Sequence, residues 1–185
     1  MNNRSLGTKS RGVTLLEVVS VMAIVGILMA IAVPSYKYVT NANRVAAENN
    51  ALLGDLQYAR AEAIKEGQSV SVCITQDSTF TSCATSGNSW VPGWIVFTDV
   101  NGDGVINGAD YPLRKSPAFS GTDTFTASNN LKVITFNREG FAAGLAAAQV
   151  FTLHTATTNN QWTRCLTVGT VGMMNTTHYD GTTCL

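Results

Sequence analysis

Residues 13–33 are a run of 21 in which Glu17 is the sole charged side chain. As a helix rising 1.5 Å per residue, such a run covers about 30 Å, the thickness of a bilayer's hydrocarbon core. It is therefore expected to span a membrane. A carboxylate at the edge of that span is costly unless something requires it, so Glu17 is the first candidate functional residue. Arg4, Lys9 and Arg11 precede the run, which orients the N-terminus to the cytoplasm and the rest of the chain outward. A secretory signal competes with this reading. Its basic region fits, but the apolar stretch exceeds the usual ~7 to 15 residues, and no small-residue cleavage site follows it.

Of the 185 residues 45% are hydrophobic, much of that between residues 13 and 36, and the remainder has the size of one small domain. The chain holds 12 basic and 12 acidic residues, and without residues 1–12 the balance is 9 to 12, a net charge of −3. That disfavours a nucleic-acid footprint, which needs concentrated positive charge. Cys73, Cys83, Cys165 and Cys184 all lie beyond the apolar run. They allow three pairings, of which the local one joins Cys73 to Cys83 and Cys165 to Cys184; four reduced core cysteines are the alternative. An exported domain favours disulfides. Neither local pair has CxxC spacing and His154 and His178 lie far apart, which argues against zinc.

Helical periodicity continues past the span. Val45, Ala46, Leu52, Leu53, Leu56, Ala59, Ala63 and Ile64 recur at threes and fours among charged residues, so residues 37–67 read as an amphipathic half-helix with one face for a globular domain. Pro34 lies between the halves and predicts a bend or a locally melted turn, and Gly67 a stop. Gly26 and Ala30, with Ala23 nearby, have the small-xxx-small spacing that lets helices pack closely, a common feature of such segments.

After Gly67 the period changes to two. Strands are expected at residues 69–74, 94–97, 131–136, 150–153 and 162–168, forming an antiparallel sheet with one face on the helix and the other open to solvent or neighbours. The fold class is α+β. Residues 1–12 are a leader, 13–36 the transmembrane half-helix, 37–67 the amphipathic half and 68–185 the β domain. Trp90 and Trp94 read as packing residues. Residues 169–185, rich in Gly, Thr and Asn, show little apolar periodicity and read as a loop that a Cys165–Cys184 bond would close.

Asp99, Asn101, Asp103, Asn107 and Asp110 place oxygen ligands at positions 1, 3, 5, 9 and 12 of a calcium-type loop, with Gly104 at the turn and the Val105 carbonyl at 7. Calcium is a candidate cofactor on that spacing. Asp110 stands where a bidentate glutamate is usual, and a strand leads in where a helix normally does. The alternative is a hairpin whose Asp and Asn residues serve turn geometry.

Arg11-Gly12-Val13-Thr14-Leu15-Leu16-Glu17-Val18 resembles the processed start of type IV pilins and type II secretion pseudopilins. The resemblance implies a pilin-like fold, cleavage between Gly12 and Val13 by a membrane prepilin peptidase, methylation of Val13, and an assembly role for Glu17. It also puts Pro34 where pilins kink or melt their helix. Val13 departs from the phenylalanine usual in major pilins. Independently of the family, a new amine at Val13 lies one turn before Glu17 and is a fitting charge partner, within one chain or between subunits. The alternative is a carboxylate that merely snorkels to the interface. The stretch from Trp90 to Gly104, W-x-x-G-W-x-V-F-x-D-x-N-x-D-G, resembles H-type pseudopilins and related minor pilins, as does Asn137-Arg138-Glu139-Gly140. The resemblance covers most of residues 8–168.

No nucleotide fingerprint, nucleophile elbow or metal-ligand cluster supports an enzyme. The favoured reading is a single-pass inner-membrane subunit with a periplasmic domain, built into or priming a type IV pilus-like filament with other minor pilins or pseudopilins and a major pilin as partners. The H-type pseudopilin of a type II secretion system is the second reading, and a DNA-capturing minor pilin the third. Against the third, residues 167–174 carry no arginine, and Arg164 and Lys132 are the nearby cations.

Overall fold

The computed structural model describes residues 12–119, 121–156 and 159–184. Two compact units divide the chain, Met1–Thr40 and Asn41–Leu185, and one helix, α1 (Leu15–Glu66), supplies residues to both. Thr14 caps it: the Glu17 N–H donates to Thr14 Oγ1 at 3.3 Å. The helix stays continuous through Pro34, so the melted turn expected there is not found. Proline removes one backbone donor, and the surrounding turns hold the helical geometry without it. Every residue from 12 to 40 is exposed.

In the second unit the buried positions of α1 are Val45, Asn49, Leu52, Leu56, Ala59 and Ala63, the alternating four-and-three spacing of a single helical face. Ile64, expected on that face, is 52% exposed. Gly67 ends the helix at φ +67°, and its N–H donates to the Ala63 carbonyl at 3.0 Å.

Nine strands follow among the described residues: β1 (Val70–Ile74), β2 (Trp94–Thr98), β3 (Pro112–Ser116), β4 (Thr124–Ala127), β5 (Val133–Phe136), β6 (Ala142–Ala143), β7 (Gln149–His154), β8 (Arg164–Val168) and β9 (Met174–His178). They form two antiparallel sheets, in the orders β3-β2-β1-β5-β6 and β4-β7-β8-β9, where one sheet was expected. The sheets stay separate because the edges that would join them are occupied. Segment 88–90 takes the outer edge of β4, with the Trp90 N–H on the Phe125 carbonyl at 2.7 Å and the Ala127 N–H on the Asn88 carbonyl at 2.9 Å. At β6 the Ala142 N–H donates to the Thr170 carbonyl at 3.0 Å.

One apolar core lies beneath the helical face, where Leu52 and Leu56 meet Val72, Trp94, Phe125, Ile134, Phe151 and Leu166. Trp90 joins it edge-on to Phe151, centroids 5.1 Å apart, so both tryptophans are packing residues, as their sequence context indicated. The far face of the first sheet is not open. All ten residues of β1 and β2 are buried, and Cys73, Ile95 and Phe97 pack beneath Phe80, Cys83 and Ile106. The Cys73–Cys83 disulfide holds that loop over the sheet, which is why the expected free face is covered. The second bond joins Cys165 to Cys184. Residues 174–178, read from sequence as loop, pair with β8 from Arg164↔His178 to Val168↔Met174. Their polar, threonine-rich composition hides a strand whose partner supplies the apolar side chains.

Candidate functional site

Gly12, Val13 and Glu17 are exposed at the head of α1, while leader residues 1–11 lie outside the described residues. The spacing Thr14-x-x-Glu17 is a capping box signature, a signal available in the sequence that supplies a local reason for a helix to begin there. A carboxylate in the first turn also complements the positive end of the helix dipole.

The loop of residues 99–110 brings together Asp99, Asn101, Asp103, Asn107 and Asp110, and its backbone amides engage the three carboxylates. Asp99 is fully buried: Oδ1 accepts the Asp103 N–H at 3.0 Å, and Oδ2 accepts the Gly104 N–H at 2.9 Å and the Ser71 hydroxyl at 2.5 Å. Ser71 also lies 2.6 Å from Thr135 Oγ1, so this polar cluster ties the loop to β1 and β5. Asp103 accepts the Val105 N–H and the side-chain amides of Asn101 and Asn107. The Asn107 amide, then the Val105 N–H, hold the Asp103 carboxyl below its usual range. Asp110 closes the loop by accepting the Val100 N–H at 2.9 Å and the Asn107 N–H at 3.0 Å. Turn geometry thus accounts for every one of these carboxylates, and among the described residues no group of three or more His, Cys, Asp or Glu is arranged to hold a metal.

Besides the Asn49–Thr176 hydrogen bond, polar clamps attach α1 to the strands and the turns beside them, and none was legible as a site. Asp55 accepts the Trp94 indole N–H at 2.8 Å and pairs with Arg114 at 3.2 Å; the Arg114 guanidinium stands 3.6 Å from the Tyr58 ring centroid. Arg60 Nε donates to the Gly140 carbonyl at 2.9 Å. Arg44 forks onto Asp123 with contacts of 2.7 and 2.8 Å. Each joins residues about 40 to 80 positions apart, a distance at which helical periodicity carries no information.

Among surface features, Ile64, Phe141, Val171 and Met173 are exposed apolar side chains adjoining the Gly140 and Gly172 turns. A groove of about 590 Å³ runs between the flank of α1 (Gln57, Arg60, Ala61, Ile64) and Gly172, Met173 and Met174. The two cations weighed for DNA contact are engaged locally. Arg164 donates to the Gln161 carbonyl at 3.0 Å and contacts His178 Nδ1 at 2.7 Å, and Lys132 donates to the Thr85 carbonyl at 2.7 Å.

An apolar helix that becomes amphipathic and packs against antiparallel sheets defines a pilin-like subunit. The family model described as type II transport protein GspH matches residues 48–172, and the prokaryotic N-terminal methylation motif matches residues 7–33. The chain belongs to that GspH family, within the type IV pilin and pseudopilin superfamily of structural, non-catalytic subunits. Two crystal structures of the Pseudomonas aeruginosa type IV minor pilin FimU share its fold. One is 22% identical with a TM-score of 0.57, covering 81% of this chain and 99% of FimU. The other is 23% identical with a TM-score of 0.54, covering 76% and 98%. Comparison with curated proteins gives no significant match.

Proposed function

We propose that this chain is a minor subunit that assembles into, or primes, a type IV pilus-like filament. In this reading the apolar half of α1 anchors it in the inner membrane and the β unit stands in the periplasm. A prepilin peptidase cuts between Gly12 and Val13, Val13 is methylated, and Glu17 pairs with the Val13 amine of its own or an adjoining subunit. One observation carries the reading: residues 12–40 bury nothing within the chain although most are apolar, so their burial has to come from lipid or from other subunits. Glu17→Ala is expected to leave processing largely intact and to prevent stable incorporation. Normal recovery of that variant in a filament pull-down would remove the assigned role of Glu17.

The family description favours a second reading, an H-type pseudopilin of a type II secretion system. Deleting the gene and scoring piliation and protein secretion side by side separates the two. Calcium at residues 99–110 is proposed on ligand spacing alone; the ion would use lone pairs that the loop amides leave free. Binding is expected to give heat on calorimetric titration at about millimolar calcium and to raise the thermal midpoint. A flat titration with an unmoved midpoint counts against it.

A further inference from the structure

Among the described residues the two sheets have four edges, three of them protected along their length. β3 carries Pro112, Arg114 and Lys115, β6 is two residues long, and segment 88–90 lies along β4. Along the fourth edge, β9, Met174, Asn175, Thr176, Thr177 and His178 include no proline, lysine or acid, and the chain folds back against its end through the bridge Tyr179↔Cys184. Its polarity follows from the ladder. The Gly169 N–H donates to the Met173 carbonyl and the Tyr179 N–H to the Thr163 carbonyl, which makes residues 173, 175, 177 and 179 the ones bonded to β8. The backbone N–H and C=O groups of Met174 and Thr176 therefore point outward, and among the described residues nothing meets them; His178 adjoins the Tyr179↔Cys184 bridge.

The side chains of those same three residues face the helix side of the sheet, where Asn49 of α1 donates to Thr176 Oγ1 at 3.3 Å. Asn49 is 1% exposed, and its Oδ1 lacks a partner among the described residues. Beside Met174 the flank of α1 bounds the groove of about 590 Å³ lined by Ala61, Ile64 and Met173. A further strand alongside β9 would place an inward side chain there.

We propose that β9 is an acceptor edge, completed in the assembly by an extended, uncharged strand of a different subunit whose apolar side chain enters the groove. The inference rests on the filament-subunit reading above. A second copy paired over the whole of β9 does not fit. Its other edges are closed or charged, and antiparallel β9–β9 pairing centred on Thr176 would bring His178, not an apolar residue, to the position beside Met174. Strand addition takes affinity from backbone bonds and specificity from alternate side chains, which matches the free groups and the groove.

The test uses the full chain in its native membranes. Thr176→Pro deletes an outward N–H while sparing the bonds to β8, Thr176→Lys adds an edge charge while keeping every backbone group, and Thr176→Val, which removes only the hydroxyl that accepts from Asn49, is expected to incorporate normally. The proline and lysine variants are each expected to lower incorporation into sheared filaments by about tenfold, with the Cys165–Cys184 bond still formed on non-reducing gels. If the proline variant does not form that bond, the lysine variant decides. A photo-crosslinker replacing Met173, which is 70% exposed at the groove, is expected to attach to a strand of another subunit, and Thr176→Pro to reduce that adduct. A doubled copy of this chain, attachment to a partner's helix, no adduct, or wild-type incorporation of the folded proline and lysine variants overturns the proposal while leaving the filament reading intact. Absence of the wild-type chain from both pilus and pseudopilus overturns both.

Discussion

Arg44, Glu48 and Asp123 put two carboxylates and one guanidinium where α1 meets the segment leading into β4. The Asp123 side chain is 1% exposed and takes both arms of the Arg44 fork. Glu48 follows one turn after Arg44, with its Oε2 buried and without a hydrogen-bond partner among the described residues. Burial first, then the charge of Asp123, pushes the Glu48 carboxyl up to about 7, against an opposing pull from Arg44. A proton on Glu48 gives it a donor toward Asp123. Because the folded-state value is raised, the stability contributed by protonated Glu48 is fully present below its ordinary pKa of 4.5 and is lost as pH rises through about 7. Glu48→Gln keeps a neutral side chain at all pH values. The thermal midpoint of the wild type minus that of the variant is therefore expected to fall between pH 4.5 and 7, and scanning calorimetry at fixed ionic strength across that window measures it. A difference that does not change with pH would show that Glu48 titrates normally.

At the scale of elements, the ends of the two sheets meet where the β8–β9 turn touches the turn after β5. A Cβ added at Gly172 would lie 2.1 Å from the Gly140 carbonyl oxygen, at a φ of +75°, and Arg60 donates to that same carbonyl. Gly172→Ala is thus expected to cost about 2 kcal/mol or more, read as a lowered denaturation midpoint at unchanged slope. An unchanged midpoint would mean that the two turns move apart freely. None of this was visible in the sequence, although the elements it joins largely were. Leu52, Leu56, Ala59 and Ala63 announce their helix face by spacing, and β1, β2, β5, β7 and β8 by apolar or alternating runs. Strands β3, β4, β6 and β9 were not expected: β4 and β6 are only four and two residues long, and in β3 and β9 Arg114, Lys115, Asn175 and Thr176 sit on sheet edges, where solvent removes the need for apolar alternation. Asn49 escaped because a polar residue on an apolar face breaks the pattern that identifies the face. In the loop at residues 99–110, spacing revealed that the oxygens converge; that the loop's own amides also bond them depends on backbone conformation.

The molecule as a whole divides its apolar surface between two uses. Residues 12–40 leave their apolar side chains exposed, whereas Asn41–Leu185 encloses a core that two disulfides reinforce. The two disulfides support different parts of it. Cys73–Cys83, with a separation of 10, holds the loop that covers Ile95 and Phe97; Cys165–Cys184, with a separation of 19, ties the chain end to β8. In the chain-entropy account each closes a loop worth about 3 kcal/mol, so their removal should be similar in total cost. The consequences for local structure should differ. Replacing Cys73 and Cys83 by serine uncovers a buried apolar cluster, so it is expected to increase binding of a hydrophobic dye as well as to lower the melting temperature. The same change at Cys165 and Cys184 releases residues 179–184, which contribute no buried side chain, so proteolysis should begin there with dye binding near wild type. Limited proteolysis and dye fluorescence on both double variants check the distinction. Equal dye binding by the two would mean that the loop of residues 75–92 holds its place over Ile95 and Phe97 without its disulfide, by its own packing and hydrogen bonds.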